Sequence, residues 1–452
     1  MSTAALLLFF FLLLALLAYA LKLPSLALPI GMMTFSYKQI AALAIPFLQN
    51  HDTLFNFIVA GPIVAVFTYH FSSRVKLGCH SSEGRVTMRL LWVFLGYFWF
   101  TTLWSPFVGF DSWKFLPYFI VYFWILPLLV DSDPEAVLKA FQLAWILTFL
   151  AALSLLLSPA FYLSPDTERM IIHYQAGRFE ESNPLVLADL AAYLFMMSLM
   201  VLIWPLFSIE RGRFSRFLHV VMVASGLVLA FWLAFNTSRG ETVAGVVCGC
   251  LFIALVKGRS ILHSLLWLVG IMATLFVSVL LVVLLFSPKG GIEKWSARYT
   301  PDAIAEGSDQ RHDLTSRNIR FALSSPATFL FGKGARATEK QVGTWPHNHF
   351  AQAFGESGMF GLLLLCSCCF LALRFGLRTL TMTRESGDRP SLILAAFMLS
   401  LLIYQLVVLS KKGSLTFWDT YMWIAISVYT FDRIQFFLRS TSSYNEPFEA
   451  IG

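Results

Sequence analysis

Apolar residues in this chain come in long unbroken runs, not in the alternating or three-to-four spacing of elements that show one face to water. Runs of the length that crosses a bilayer, about 17 to 25 residues, fall at 4–21, 54–71, 88–105, 114–130, 140–158, 184–207, 217–235, 240–256, 261–286, 353–374, 391–410 and 420–437. They predict twelve helices that are apolar on most of their faces. The first run ends in Ala18-Tyr19-Ala20, as a cleaved leader would, but the preceding MSTAA has no positive charge, so it reads as a retained helix. Residues 22–50 are apolar as well, yet Pro24, Pro29 and Pro46 interrupt them and Lys22 and Lys38 lie among them. They predict short re-entrant or interfacial pieces. One long polar interval remains, 287–352. The expected layout is a transmembrane region at 1–286, a loop at 287–352, the last spans at 353–437 and a polar tail at 438–452.

Composition turns this pattern into a class. Of 452 residues, 58% are hydrophobic and 13% charged, against roughly 25% charged in a typical soluble chain. With a mean hydropathy of +0.71, a water-soluble enzyme is excluded. The six cysteines, Cys79, Cys248, Cys250, Cys366, Cys368 and Cys369, lie mostly inside apolar runs and suggest neither a disulfide framework nor a zinc site. Lys and Arg should gather in short cytoplasmic loops. With the amino terminus inside, the inner side holds sixteen, among them Arg74, Arg85, Arg213, Arg374, Arg378, Arg384 and Arg433. The outer side holds seventeen, nine of them in 287–352, and a loop of that length escapes the rule. Both termini are therefore expected inside and the long loop outside.

In that loop, Asp309 to Leu323 reads as a helix, followed by a Ser324-Ser325-Pro326 stop and a turn at Phe331-Gly332-Lys333-Gly334. Its charges fit a plain solvated loop. Two more arginines are expected on the same face: Arg239, where two apolar runs meet with almost no loop between them, and Arg178, shortly before the run at 184–207. Charges beside a span pair or line a cavity; Glu241 and Glu180, Glu181 or Asp189 are the ordinary partners. Guanidinium groups also grip phosphate oxygens bidentately, so several of them at a lipid boundary suit a diphosphate head whose charge grows as a sugar departs. An imidazole would supply the base. His347 and His349 precede the run at 353–374, and Asn348 between them could orient a ring or cap the helix. The acidic set Asp131, Asp133 and Glu135 reads as an ordinary loop. Zinc-protease, Walker, nucleophile-elbow and paired-cysteine motifs do not occur, so a redox, zinc or nucleotide enzyme is unsupported.

The segment HNHFAQAFGESGMFGL separates His347-Asn348 from Gly358 by nine residues, with Gly361 three further on. This resembles the signature of the bacterial O-antigen ligase family, within a larger group that includes O-antigen polymerases and protein O-oligosaccharyltransferases. Thr237-Ser238-Arg239 resembles the family's membrane-edge arginine, Arg311 its long-loop arginine and, more loosely, Arg178 a further arginine before a span. The likeness covers mainly residues 170–375. It implies an all-α polytopic membrane glycosyltransferase of the GT-C-like helical type, with twelve spans and a long helical periplasmic loop, in the bacterial inner membrane. The implied donor is O-antigen polysaccharide on undecaprenyl diphosphate, the acceptor lipid A core oligosaccharide, and the transfer inverting, with no metal or other cofactor and no nucleic acid partner. His347 takes the base role; Arg239, Arg311 and Arg178 take the diphosphate. Arg317, Arg320, His349 and Asn348 remain alternatives, and Gly358 and Gly361 read as close-packing positions. A polymerase or a protein-glycosylating relative would use the same kind of donor. A flippase that binds the lipid diphosphate is the contrasting class, although the related broken-helix halves it should show are not seen.

Overall fold

The structure is a computed structural model that describes residues 17–44, 52–70, 78–106, 116–158, 161–163, 170–172, 184–205, 213–258, 300–342, 348–411 and 419–444, with five isolated positions between 266 and 277. In chain order its main helices are α1 (Ala27–Met32), α2 (Thr34–Ala44), α3 (Asp52–Tyr69), α4 (Ser82–Phe100) and α5 (Pro134–Leu157). After a hairpin of β1 (Phe161–Leu163) and β2 (Met170–Ile172) come α6 (Pro184–Ile203), α7 (Arg213–Thr237) and α8 (Arg239–Lys257). The long loop forms α9 (Pro301–Ala322), α10 (Pro326–Phe331) and α11 (Ala337–Val342), and α12 (His349–Ser386), α13 (Arg389–Leu409) and α14 (Asp419–Tyr444) follow. The chain divides into two compact units, Met1–Tyr69 with Glu135–Tyr299 and His70–Pro134 with Thr300–Gly452.

Seven helical stretches among the described residues are long and apolar enough to cross a membrane: Ser82–Trp104, Pro134–Leu157, Val186–Ile203, Arg216–Ala234, Gly240–Lys257, His349–Ser386 and Arg389–Leu409. They answer seven of the twelve expected runs. Two further runs, 4–21 and 261–286, lie largely outside the described residues. The run 54–71 forms α3. The run 114–130 yields a shorter apolar helix, Phe119–Leu128, in which Phe119–Ile125 widens to a π-helix. Pro127 has no N–H to give to the carbonyl one turn back, which disfavours the tighter α register there.

The last expected run is exceeded by α14, which carries Asp432 and Arg433 inside the protein at 0% and 2% exposure. Arg433 is thus no inner-loop charge, and the helix reaches Tyr444, beyond the point where the polar tail was expected to begin. In the same way α12 continues to Ser386 and takes Arg374, Arg378 and Arg384 onto a helix. The antiparallel β1–β2 hairpin is the exception to an all-α reading; it pairs Phe161 with Ile172. Its three-residue strands are too short to leave a period-two signal.

In the first unit α6 is the central element, with 78% of its most apolar stretch buried, packed on α7 and α8. Polar groups in this apolar core find partners: the Trp145 indole donates to Ser198 Oγ at 2.8 Å, Ser36 to the Val186 carbonyl at 3.0 Å. In the second unit α13 has the central place, also 78% buried, between α12 and α14, while α4 packs along α12. The ends of these helices follow local rules. Ser81 Oγ accepts from the Gly84 amide and caps α4, and Asp388 accepts from Ser391 N to cap α13 beside Pro390.

Candidate functional site

The loop of the second unit builds a polar layer on the first turns of α12. Its principal helix, α9, starts at Pro301, eight residues before the expected Asp309. Along its last three turns His312, Asp313, Arg317 and Arg320 are exposed and Asn318 and Ala322 buried. Arg317 pairs with Asp313 at 2.6 Å, one turn away, but both side chains are more than half exposed, so the pair is weak and the guanidinium stays open to an anion. Arg311 lies on the same helix, one and a half turns before Arg317.

α10 is capped by Ser325, which accepts from Thr328 N, with Pro326 as its first residue. The chain then turns through Gly332 at φ 74° and Gly334 at φ 95°, as the turn signal predicted. Here it meets an interruption in α12. Gly358 sits at φ 67° and ψ −167° inside the helix, so the carbonyls just before it lose their helical partners. Loop groups replace those partners: Lys333 N donates to the Gly355 carbonyl at 3.0 Å and Gly334 N to the Glu356 carbonyl at 2.9 Å. The Tyr97 hydroxyl, from α4, donates to the Ser357 carbonyl at 3.0 Å. Backbone touches backbone so closely that a Cβ on Gly358 would stand 2.3 Å from Leu330 C, and one on Gly332 2.2 Å from Glu356 C. Glycine is needed at both positions for space and for positive φ.

Ahead of this break, α12 begins with a cap. Asn348 Oδ1 accepts from the amides of Phe350 and Ala351, each at 3.0 Å. Asn348 therefore takes the capping role foreseen for it. The signature thus encloses a short helix, His349 to Glu356, fixed by a side-chain cap at one end and a backbone clamp at the other. His349 is 2% exposed, which corrects the expectation that it stands at the water boundary: as the first helical residue it turns into the protein. His347, next to the cap, lies outside the described residues.

The buried side of this helix carries a polar network that sequence reasoning missed. Glu356, at 0% exposure, accepts on Oε1 from the Thr338 hydroxyl and from Gln352 Nε2 at 2.9 Å. Thr338, Gln352 and Asn318 are themselves fully buried. Gln352 and Glu356 are four residues apart, a polar pair on one helix face at the mouth of an expected span. That spacing was the available signal.

Arg178 and Arg239 belong to the first unit. Arg178 lies outside the described residues. Arg239 is the first residue of α8, after a one-residue break at Ser238, as the near-absence of a loop implied. Glu241, foreseen as a salt-bridge partner for Arg239, is 4% exposed and accepts from the Ser238 hydroxyl. It borders a cavity of about 10 Å³ with Ala191, Phe231 and Thr242, room for about one water. The acidic loop behaves as an ordinary one: Asp131 accepts from Ser132 N and Glu135 pairs with Lys139 at 3.2 Å. Among the described residues no group of His, Cys, Asp and Glu is arranged to hold a metal ion.

The class these features define is a helical membrane protein with a structured polar loop clamped to one of its long apolar helices. No known family model matches the chain, and no curated protein matches it either.

Proposed function

We propose that the chain is a glycosyltransferase that moves an O-antigen polysaccharide from undecaprenyl diphosphate to lipid A core oligosaccharide, on the periplasmic face of a bacterial inner membrane. The observation that carries this reading is the construction of the signature segment. Asn348 caps the start of α12, and the Gly358 break frees carbonyls to which the turn of the arginine-bearing loop bonds. A catalytic group beside that cap would be held within the small tolerance that group transfer demands.

In this reading His347 takes the proton from the acceptor hydroxyl as its oxygen attacks the anomeric carbon. The bond from that carbon to the diphosphate oxygen breaks, and its electron pair stays on the diphosphate. Arg239, Arg311 and Arg178 stabilise the departing charge, with the exposed Arg317 and Arg320 as further contacts. Attack opposite the leaving group inverts the anomeric centre, and the guanidinium groups supply the charge that a metal would otherwise provide.

The test is transfer in vitro with purified lipid-linked donor and core acceptor. His347→Ala should abolish transfer while donor binding persists, and Arg311→Ala or Arg239→Ala should weaken donor binding too. Full activity of His347→Ala would remove the base assignment. A product made by chain extension instead of transfer to the core would assign the same chemistry to a polymerase.

A further inference from the structure

The short helix α10 has an unusual exposed face for a loop. Four of its six residues, Pro326, Ala327, Leu330 and Phe331, are exposed and all are apolar. Its other two, Thr328 and Phe329, turn inward, and Phe329 meets Phe354 edge-on at 5.7 Å. Neighbouring α9 offers the contrast, since what it exposes over its last turns is mostly polar: His312, Asp313, Arg317 and Arg320. Leu323, between the two helices, is 57% exposed. Water would not select such a face.

The apolar strip continues into a spanning helix. Phe331 stacks on Phe360 of α12 with centroids 5.9 Å apart and planes 12° apart. Phe360 and Leu363 are themselves 53% and 57% exposed, on a helix long and apolar enough to cross a membrane. The depth of α10 follows from its neighbours. Tyr97, which bonds the Ser357 carbonyl, lies at the end of α4 where Trp99, Phe100 and Trp104 cluster, the residues that favour the boundary between hydrocarbon and water. Ser105, just past them, donates to the Ala335 carbonyl at 2.8 Å. Arg320, exposed one turn before Leu323, suits phosphate headgroups just above, with its stem along apolar surface.

We propose that α10 is an interfacial anchor whose outward face rests among the acyl chains of the bilayer leaflet on the loop's side. The occupant is lipid, because the exposed strip is continuous with the exposed apolar side of α12, a helix long and apolar enough to cross a membrane, and is flanked by the exposed Arg320. The loop is thereby held to the membrane surface through α10 as well as through the α12 clamp.

The experiment places single cysteines at Ala327, Phe331 and His312 in a Cys366→Ser background, the other five native cysteines being buried. Each is labelled with a polarity-sensitive fluorophore in nanodiscs of phosphatidylcholine and phosphatidylglycerol. A lipid nitroxide at a shallow acyl carbon should quench the probes at 327 and 331 about threefold more than the probe at 312, and aqueous iodide should show the reverse order. Ala327→Cys keeps the test decisive if Phe331→Cys fails to fold, since Ala327 has no stacking partner to lose. Iodide quenching at 327 as strong as at 312 overturns the proposal. Probes reached by neither quencher overturn it as well, and assign the face to contact with another protein chain.

Discussion

Helix α4 of the second unit is fastened at both ends, by different means. At its Tyr97 end the neighbouring contacts are made by backbone, with loop amides and a hydroxyl filling carbonyls that Gly358 frees in α12. At its Ser81 end a buried carboxylate does the fastening. Asp432 of α14 accepts from His80 N and Ser81 N, both at 2.7 Å, and from Ser81 Oγ at 2.6 Å. Ser81 Oγ in turn accepts from Gly84 N at 3.0 Å, and nearby Arg378 of α12 pairs with Glu83 at 2.5 Å. The first attachment depends on missing side chains and the second on charge. They should therefore respond to different substitutions.

The largest effect is expected at the glycine end. Gly358→Ala meets both a positive φ and the Leu330 backbone, so it should cost about 3 kcal/mol or more and release the loop. Thermal unfolding together with protease sensitivity of residues 300–342 checks this; an unchanged loop in the variant would break the contrast. Next, Asp432→Ala leaves three donors unanswered beside buried Arg433 and should cost on the order of 3 kcal/mol. The loop clamp should survive, so the 300–342 segment stays protected while the unfolding temperature drops.

Glu356 sharpens the comparison because it brings a carboxylate to the glycine end. Glu356→Ala should cost about 1–3 kcal/mol, as buried Thr338 and Gln352 lose their acceptor, whereas Glu356→Gln keeps an acceptor oxygen and should cost less. Equal losses in the two variants would show that the negative charge itself is required. The smallest effect concerns pH. One-sided burial holds the His80 imidazole below its ordinary 6.5, helped by Arg433 and Arg85 and opposed by Asp432. The folded state then binds a proton less readily than the unfolded chain. Its contribution is present above about pH 6.5 and lost as pH falls. A modest fall in unfolding temperature between pH 7 and 5, reduced in His80→Gln, is the expected result.

Much of this organisation was written locally. The seven helices long enough to span among the described residues follow from uninterrupted apolar runs, since hydrocarbon requires every backbone bond to close within its own segment. The Asn348 cap, the Ser324-Ser325-Pro326 stop after α9 and the Gly332-Gly334 turn could be read too, because each acts within about four residues of itself. Helix ends were less legible. α9 starts early and α12 and α14 run late, because a polar sequence can continue a helix already held by packing.

Sequence alone determined the membrane class, the order of the helices and the presence of a short motif joining a cap to a glycine pair. Tertiary structure decided what that motif does. Gly358 breaks a helix because loop residues 333 and 334 are there to take the freed carbonyls, and Glu356 is buried where Thr338 of the loop meets it. Asp432 finds its donors some 350 residues away. Such contacts leave no local pattern: a polar residue in an apolar run is equally compatible with facing a cavity, a lipid headgroup or a partner, and only the packed chain selects among these.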